Sequence, residues 1–360
     1  MKPTILPTLD YELYGDGSGD IFENLVNPTD DLLRHLEPTT FRLTIFVEIV
    51  EIIRLREQWN NGNPMGYDRD PIQAITEQLR QAYRKGHDIQ LHIHPQWFDA
   101  IWTDNRWQVD NSRWQLGSFI SQDGKTDIRG LIRWAKNELE QLVRSFDPTY
   151  ECIALRAGGY NAMPCAEILE AMRQTGLRID SSVVPGARAD NAFDHYDYTA
   201  APTDGQGWWH VSDDINIPHP TPTDIIELPV TAFSMPGWKK YLSIDRLRSF
   251  LKNRNSAIKK VAQKQPATEP KQKRSLLALL TQPQTVTWDF CLLSASQHRK
   301  FFQRVTDKKR QAIVLIGHSK GYTSPEGIKL INSLAQERQL RTLTFRQWLD
   351  IHQPLTNNLK

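Results

Sequence analysis

The stretch that decides the fold is Leu91-His92-Ile93-His94-Pro95-Gln96-Trp97, in which two histidines two residues apart close an apolar run. In a β-strand, residues i and i+2 point to the same face of the sheet, so both imidazoles are predicted to enter the same space. Near the amino terminus, Asp10 and Glu12 follow the apolar run 4–9 with the same spacing. Paired imidazoles and paired carboxylates at two strand ends are the ingredients of a metal site with hydrolytic chemistry.

Outward from this stretch, short apolar runs alternate with helical patterns, which is typical of an α/β protein with parallel strands. The pattern that begins at Pro71 and stops before Gly86 shows the expected helix start and stop signals. We predict a distorted (β/α) barrel of about seven strands. The predicted strands are 4–9, 40–47, 88–94, 152–156, 178–181, 223–229, 311–317 and 340–345, and the predicted helices are 71–85, 128–146, 164–175 and 325–337.

The chain is predicted to form a single barrel domain over residues 1–360. The stretch 252–284 is polar, largely rich in lysine and broken by prolines, so we expect an exposed insertion or loop there. The stretch 190–222 lacks periodicity and is expected to be a long loop over one end of the domain.

The composition excludes some classes of function. Lys plus Arg is 44 and Asp plus Glu is 42, which gives a formal net charge of +2. This lacks the strong positive charge that is typical of nucleic-acid-binding domains. The 3 cysteines include no short-spaced pair, which argues against a disulfide framework and a cysteine zinc site. The start of the chain shows no secretory leader, and no apolar run approaches the ~20 residues of a membrane helix. A soluble, cytoplasmic protein is therefore expected.

Reactive side chains follow several of the predicted strands. Ligands of parallel α/β folds bind beyond the carboxyl ends of the strands, where these groups are expected to meet. They are Asp10 and Glu12, His92 and His94, Arg156 with the Gly158-Gly159-Tyr160 turn, Asp180, and His318.

This ordered set resembles the polysaccharide deacetylase family, the carbohydrate esterases built on the NodB-type domain. Within that family, the motifs most resemble those of deacetylase-like proteins of surface-polysaccharide biosynthesis. The matching motifs are 8–12 with the acids, 86–92 leading to the first histidine, Arg156 with Tyr160, 180–185 with the string Asp-Ser-Ser, and 316–319 with the last histidine.

The chain departs from the family pattern at two motifs. The usual acidic pair is adjacent, whereas Tyr11 separates Asp10 from Glu12 here. The usual histidines are four residues apart, whereas Gln96 stands at that fourth position here and His94 comes earlier. Both changes keep the ligand chemistry, because a spacing of two still presents both side chains on one strand face.

The resemblance implies a divalent metal, with zinc expected, held by Glu12, His92 and His94. Asp10 would act as the base, although Asp10 and Glu12 could exchange these roles. A saccharide is the implied substrate.

Three further residues take catalytic roles by the same resemblance. Arg156 would orient the base through a bidentate contact. The backbone N–H of Tyr160 would face the oxyanion, and His318 would protonate the leaving amine. Asp180 is expected to lie behind these groups, and Trp97 either stacks a sugar ring or belongs to the core.

The expected activity is hydrolysis of an acyl group, with acetyl expected, from an N-acylated sugar in polysaccharide biosynthesis. Two alternatives remain open: a metal-free amidase on the same barrel, and a catalytically inactive saccharide-binding protein. A glycosidase is disfavoured, because two carboxylates on one strand face cannot straddle a glycosidic bond. The sequence leaves the sugar, the acyl group and the oligomeric state open.

Overall fold

The computed structural model describes residues 3–191, 193–236, 283–307 and 310–352. The strands are β1 (Thr4–Tyr11), β2 (Thr44–Glu48), β3 (Asp88–Ile93), β4 (Ile101–Thr103), β5 (Arg106–Gln108), β6 (Ala154–Ala157), β7 (Ile179–Asp180), β8 (Arg188–Asp190), β9 (His195–Asp197), β10 (Trp209–Val211), β11 (Ile225–Glu227), β12 (Ala232–Pro236), β13 (Pro283–Thr287), β14 (Ala312–Leu315) and β15 (Arg341–Thr342). The α-helices are α1 (Asn27–Leu36), α2 (Ile49–Asn60), α3 (Pro71–Arg84), α4 (Ile128–Arg144), α5 (Ala166–Thr175), α6 (Ala295–Asp307), α7 (Glu326–Glu337) and α8 (Phe345–His352).

The main sheet runs in the order β10-β11-β7-β6-β3-β2-β1-β14. Its pairs are parallel except at the edge, where β10 pairs antiparallel with β11. The register places Glu48 beside His92, and His92 beside Arg156, on neighbouring strands. Parallel strands joined by helices bring all their carboxyl ends to one edge, so these side chains meet there.

The sheet curls until its ends meet. Val230, just beyond β11, forms a parallel bridge with Val314 of β14, and the amide of Thr231 donates to the carbonyl of Val314 at 3.0 Å. The ring therefore passes through β1, β2, β3, β6, β7, the extension of β11, and β14. The predicted distorted (β/α) barrel of about seven strands is confirmed.

Side chains alternate between two cores along each strand. Leu6 and Phe46 point into the barrel, where Phe345 and Trp348 of α8 close the amino end. Ile5 and other alternate residues point outward into the larger core under the surrounding helices. No helix in the described part of the chain is long and apolar enough to cross a bilayer.

Several sequence predictions need correction. The predicted strand 340–345 is shorter in the structure, where β15 contains Arg341 and Thr342 and Phe345 instead begins α8. The expected loop 190–222 contains β9, β10 and the end of β8. The predicted insertion 252–284 lies outside the described residues, except that Pro283 and Gln284 begin β13.

Candidate active site

A buried triad of ligand atoms lies at the carboxyl ends of β1 and β3. Oε2 of Glu12 is 2.7 Å from Nε2 of His94 and 3.4 Å from Nε2 of His92. All three residues are almost completely buried, and their ligand atoms lie close enough together to hold one metal ion. The triad is the set that the sequence motifs implied as metal ligands.

The hydrogen bonds around His92 fit a metal ion. Nδ1 of His92 lies 2.8 Å from the backbone carbonyl of Arg156, which only accepts, so Nδ1 carries the proton and Nε2 offers a lone pair. Within the described part of the chain, Nε2 of His92 is buried without a regular hydrogen bond, and Oε2 of Glu12 faces the Nε2 atoms of both imidazoles. Ligand atoms around a tetrahedral zinc ion lie about 3.4 Å apart. The His92–Glu12 distance has this length, whereas the His94–Glu12 distance of 2.7 Å is that of a hydrogen bond.

Gln96, at the position of the usual second histidine, contacts the triad from outside. Its amide nitrogen lies 3.1 Å from Nδ1 of His94 and donates to the carbonyl of Gly15 at 3.2 Å. Its amide oxygen has no hydrogen-bond partner among the residues described. Because the amide nitrogen only donates, Nδ1 of His94 accepts and the His94 proton lies on Nε2, facing Oε2 of Glu12. Turning the amide over would free Nε2 as a ligand, but it would set the amide oxygen against the carbonyl of Gly15.

The charges around the triad keep Glu12 ionised. Burial opposes its charge, but the Lys320 ammonium at 2.8 Å from Oε1, together with His94, holds the pKa of Glu12 well below its usual range. Burial lowers the pKa of His94, which favours the neutral imidazole that a metal requires. The donor set is therefore one carboxylate and two imidazoles, which suits zinc or a similar divalent ion.

Two further glutamates lie buried beneath the triad. Glu48 accepts a hydrogen bond from the backbone amide of His94, and Glu51 accepts one from the amide of Leu13 at 3.1 Å. Burial raises the pKa of Glu48 well above its usual range and that of Glu51 to about 8. Because both favour the neutral form, Glu12 supplies the negative charge in this corner.

Asp10 is paired with a fully buried arginine. Nη1 of Arg156 donates to Oδ1 of Asp10 at 2.5 Å and to the hydroxyl of Thr8 at 2.9 Å. Nε of Arg156 donates to the carbonyl of Ser181 at 3.0 Å, so the guanidinium cannot swing away. The contact with Asp10 uses one nitrogen rather than the predicted bidentate pair. It leaves Oδ2 facing His318, whose Nε2 is 3.7 Å away.

His318 is oriented by an acid that the sequence motifs did not indicate. Its Nδ1 lies 3.1 Å from Oδ2 of Asp289, whose Oδ1 accepts from the backbone amides of Cys291 and Leu292. Burial opposes protonation of His318, but Asp289 and then Asp10 outweigh it and raise its pKa. His318 therefore directs Nε2 towards Asp10, and the raised pKa favours its protonated form.

The turn Gly158–Tyr160 forms one wall of the site. Gly159 and Tyr160 both have positive φ angles, +56° and +64°. The carbonyl of Tyr160 accepts from the hydroxyl of Tyr198 at 2.5 Å, which fixes the turn from behind. Gly158 is required by His94, because a Cβ there would lie 2.4 Å from the imidazole ring.

Asp180 and Trp97 lie away from the reacting groups. Asp180 is buried behind Arg156 and accepts from the hydroxyl of Ser182, which itself accepts from the amide of Ala157 at 2.9 Å. Trp97 is 1% exposed and packs against Trp107 at 5.5 Å between ring centroids. Trp97 therefore lies in the core, the second of the two roles expected for it, and it presents no exposed ring face to a sugar.

Trp114 takes the rim position instead. Its ring lies 5.5 Å from that of His94, and its Nε1 donates to Asp194 at 3.1 Å. Phe193, which is 43% exposed, packs beside it. Neither residue follows a predicted strand, so no local sequence pattern marks them as part of the site. For Lys320, a signal existed: it stands two residues after His318, the same spacing as the acids.

Scans against protein-family models and curated proteins return no match. Among solved structures, the chain is similar to a candidate polysaccharide deacetylase from Mycobacterium smegmatis, with 12% identity, a TM-score of 0.45, and coverage of 100% of this chain and 93% of that one. It is also similar to a mutant CE4-family pseudoenzyme with restored enzymatic activity, with 10% identity, a TM-score of 0.37, and coverage of 97% and 68%. Both neighbours belong to the family that the motifs resemble, but likeness at these TM-scores says nothing of this chain's activity.

Proposed function

We propose that this protein is a metal-dependent hydrolase of the polysaccharide deacetylase type, which removes an acyl group, with acetyl expected, from an N-acylated sugar. One observation carries the proposal. The buried cluster of Glu12, His92 and His94 lies beside an aspartate held by Arg156 and a histidine held by Asp289. A ligand set, a base and an acid thus occupy one edge of the barrel.

Glu12, His92 and His94 would hold the ion, and zinc is expected. When bound, such an ion polarises the scissile carbonyl and lowers the pKa of a water molecule. Asp10 is less suited as a ligand, because Arg156 already occupies one of its oxygens. These contacts favour Asp10 as the base and Glu12 as the ligand over the reverse.

The protons move between two side chains. Oδ2 of Asp10 takes a proton from the attacking water as the new carbon–oxygen bond forms. Nε2 of His318 then gives its proton to the amide nitrogen as the carbon–nitrogen bond breaks. The products are a carboxylic acid and a sugar amine. Arg156 keeps Asp10 in place, and the N–H of Tyr160 is proposed to face the developing oxyanion.

The proposed substrate is a saccharide, with a lipid-linked or nucleotide-linked precursor of a surface polysaccharide expected. Trp114 and Phe193 offer aromatic faces of the kind that stack on sugar rings at the rim of the site. The cytoplasmic location expected from the sequence is part of this proposal.

One observation favours the metal-free amidase as a second candidate. The Lys320 ammonium already neutralises Glu12, so the triad does not need an ion for charge balance. This rival predicts hydrolysis that survives complete removal of metal. The saccharide-binding alternative predicts binding without turnover.

The test measures metal and acetate together. The purified protein is stripped with a chelator, reloaded with Zn²⁺, and incubated with N-acetylglucosamine oligosaccharides. The proposal expects about one ion per chain and acetate release that stops in Asp10→Asn, while Asp123→Asn in an exposed loop stays active. Full activity of the stripped protein would favour the metal-free amidase, and no release from any N-acylated sugar would refute the hydrolase.

A further inference from the structure

Lys320 is held inside the site rather than exposed on a loop. Its Nζ donates to Oε1 of Glu12 at 2.8 Å and to the carbonyl of Leu13 at 2.8 Å. It also lies 5.5 Å from the centre of the Tyr14 ring. Only 19% of its side chain is accessible to solvent. The residue has no part in the mechanism described above.

The backbone register places this lysine opposite its acid. Asp10 and His318 form a parallel bridge between the ends of β1 and β14. Two residues further along both segments, Glu12 meets Lys320. The turn that carries the lysine is fixed, because the amide of Gly321 donates to the carbonyl of His318 at 3.0 Å. Each acid of the pair therefore has its own basic partner.

The two oxygens of Glu12 have different neighbours as a result. Oε1 accepts from Lys320, whereas Oε2 faces the imidazoles of His92 and His94. A lysine ammonium has three donors and no lone pair, so it cannot itself bind a metal ion. It also repels a cation nearby.

We infer that Lys320 is a positioning residue that makes Glu12 bind the ion through Oε2 alone. This inference rests on the proposed metal-dependent function. A carboxylate free at both oxygens can bind an ion through both and take an extra coordination position. Catalytic zinc needs open positions for water and substrate. By engaging Oε1, Lys320 keeps one such position available.

The test replaces zinc with Co²⁺, whose visible absorption weakens as its coordination number rises. Lys320→Met keeps the stem but removes the charge, and Lys329→Met on the exposed face of α7 is the matched control. We expect the Co²⁺ absorption of Lys320→Met to weaken clearly and its Co²⁺ dissociation constant to fall, on the order of tenfold, because a nearby positive charge is lost. Lys320→Arg, which still donates to Oε1, should stay close to the wild type.

Equal spectra and equal Co²⁺ affinities for the Lys320→Met and Lys329→Met variants would overturn the inference, as would weaker binding by Lys320→Met when circular dichroism shows an intact fold. Wild-type protein that binds Co²⁺ but releases no acetate would refute the proposed reaction, while the spectra would still decide the role of Lys320. Wild-type protein that binds no Co²⁺ would overturn both.

Discussion

The two halves of strand β3 use buried polar side chains in opposite ways. In the first half, Oε1 of Gln90 accepts from the backbone amides of Ile153 and Ala154 at 2.9 and 2.8 Å. In the second half, Nε2 of His92 is buried without a hydrogen-bond partner in the described structure. Both side chains enter the barrel two residues apart. A satisfied polar group holds the fold, whereas an unsatisfied one at a strand end marks a place for a ligand.

The largest expected effect comes from the second half of the strand. His92→Ala removes one of the three proposed ligands and should abolish both stoichiometric zinc binding and metal-dependent acetate release. The fold should survive, because the variant also removes an unsatisfied buried atom. Elemental analysis measures the loss of zinc, and thermal unfolding of the metal-free protein shows whether the fold survives. A variant that kept its zinc would remove His92 from the ligand set.

Gln90→Leu tests the first half of the same strand. It leaves two buried backbone amides without their acceptor, so the free energy of unfolding should fall by roughly 2–4 kcal/mol. Zinc stoichiometry of the folded fraction should stay unchanged. Urea unfolding and elemental analysis measure the two quantities. If Gln90→Leu lost zinc binding but kept its full stability, the proposed contrast between the two halves of β3 would be wrong.

How far the sequence predicts the molecule follows from the same contrast. The spacing of two identified Asp10 with Glu12 and His92 with His94, because alternation along a strand is local. Asp289 and Trp114 could not be placed, because their positions depend on how distant segments meet over the barrel. These contacts appear only when the chain has folded.

The missed helix α8 is different, because its signal was local. Thr344 and Gln347 form a capping box, in which each side chain accepts from the other's backbone amide, at 3.0 and 3.3 Å. The apolar run before it suggested a strand and hid this start signal. The fold class was predictable from periodicity, whereas predicting α8, the helix that closes the amino end of the barrel, required attention to the capping pattern.

Asp289→Asn tests a buried acid of the active site whose hydrogen bonds are all satisfied within the protein. The carboxylate of Asp289 raises the pKa of His318, so its loss should lower that pKa and leave less protonated acid at neutral pH. We expect kcat/KM at pH 7 to fall about 10- to 100-fold. The alkaline limb of the pH profile should move to lower pH, and activity should recover partly on acidification. A uniform loss with an unmoved profile would contradict the role of Asp289.

The smallest expected effect concerns a histidine just before β3, at the amino end of the barrel. Nδ1 of His87 accepts from the amide of Leu43 at 2.9 Å, and burial lowers the pKa of His87 to about 3. The unfolded chain protonates this group near its ordinary pKa of about 6.5, which the folded state resists, so stability should fall as the pH drops below that value.

This loss should amount to about 1 kcal/mol per pH unit from His87 alone. In His87→Asn, Oδ1 can accept from Leu43 without titrating, so the variant should lose less stability than the wild type between pH 7 and pH 5.5. Urea unfolding at both pH values gives the difference, in which the other titrating groups cancel. Equal acid sensitivity in the variant and the wild type would mean that burial of His87 does not resist protonation. The amino end of β3 would then lack the satisfied, neutral character that separates it from the proposed metal-binding end.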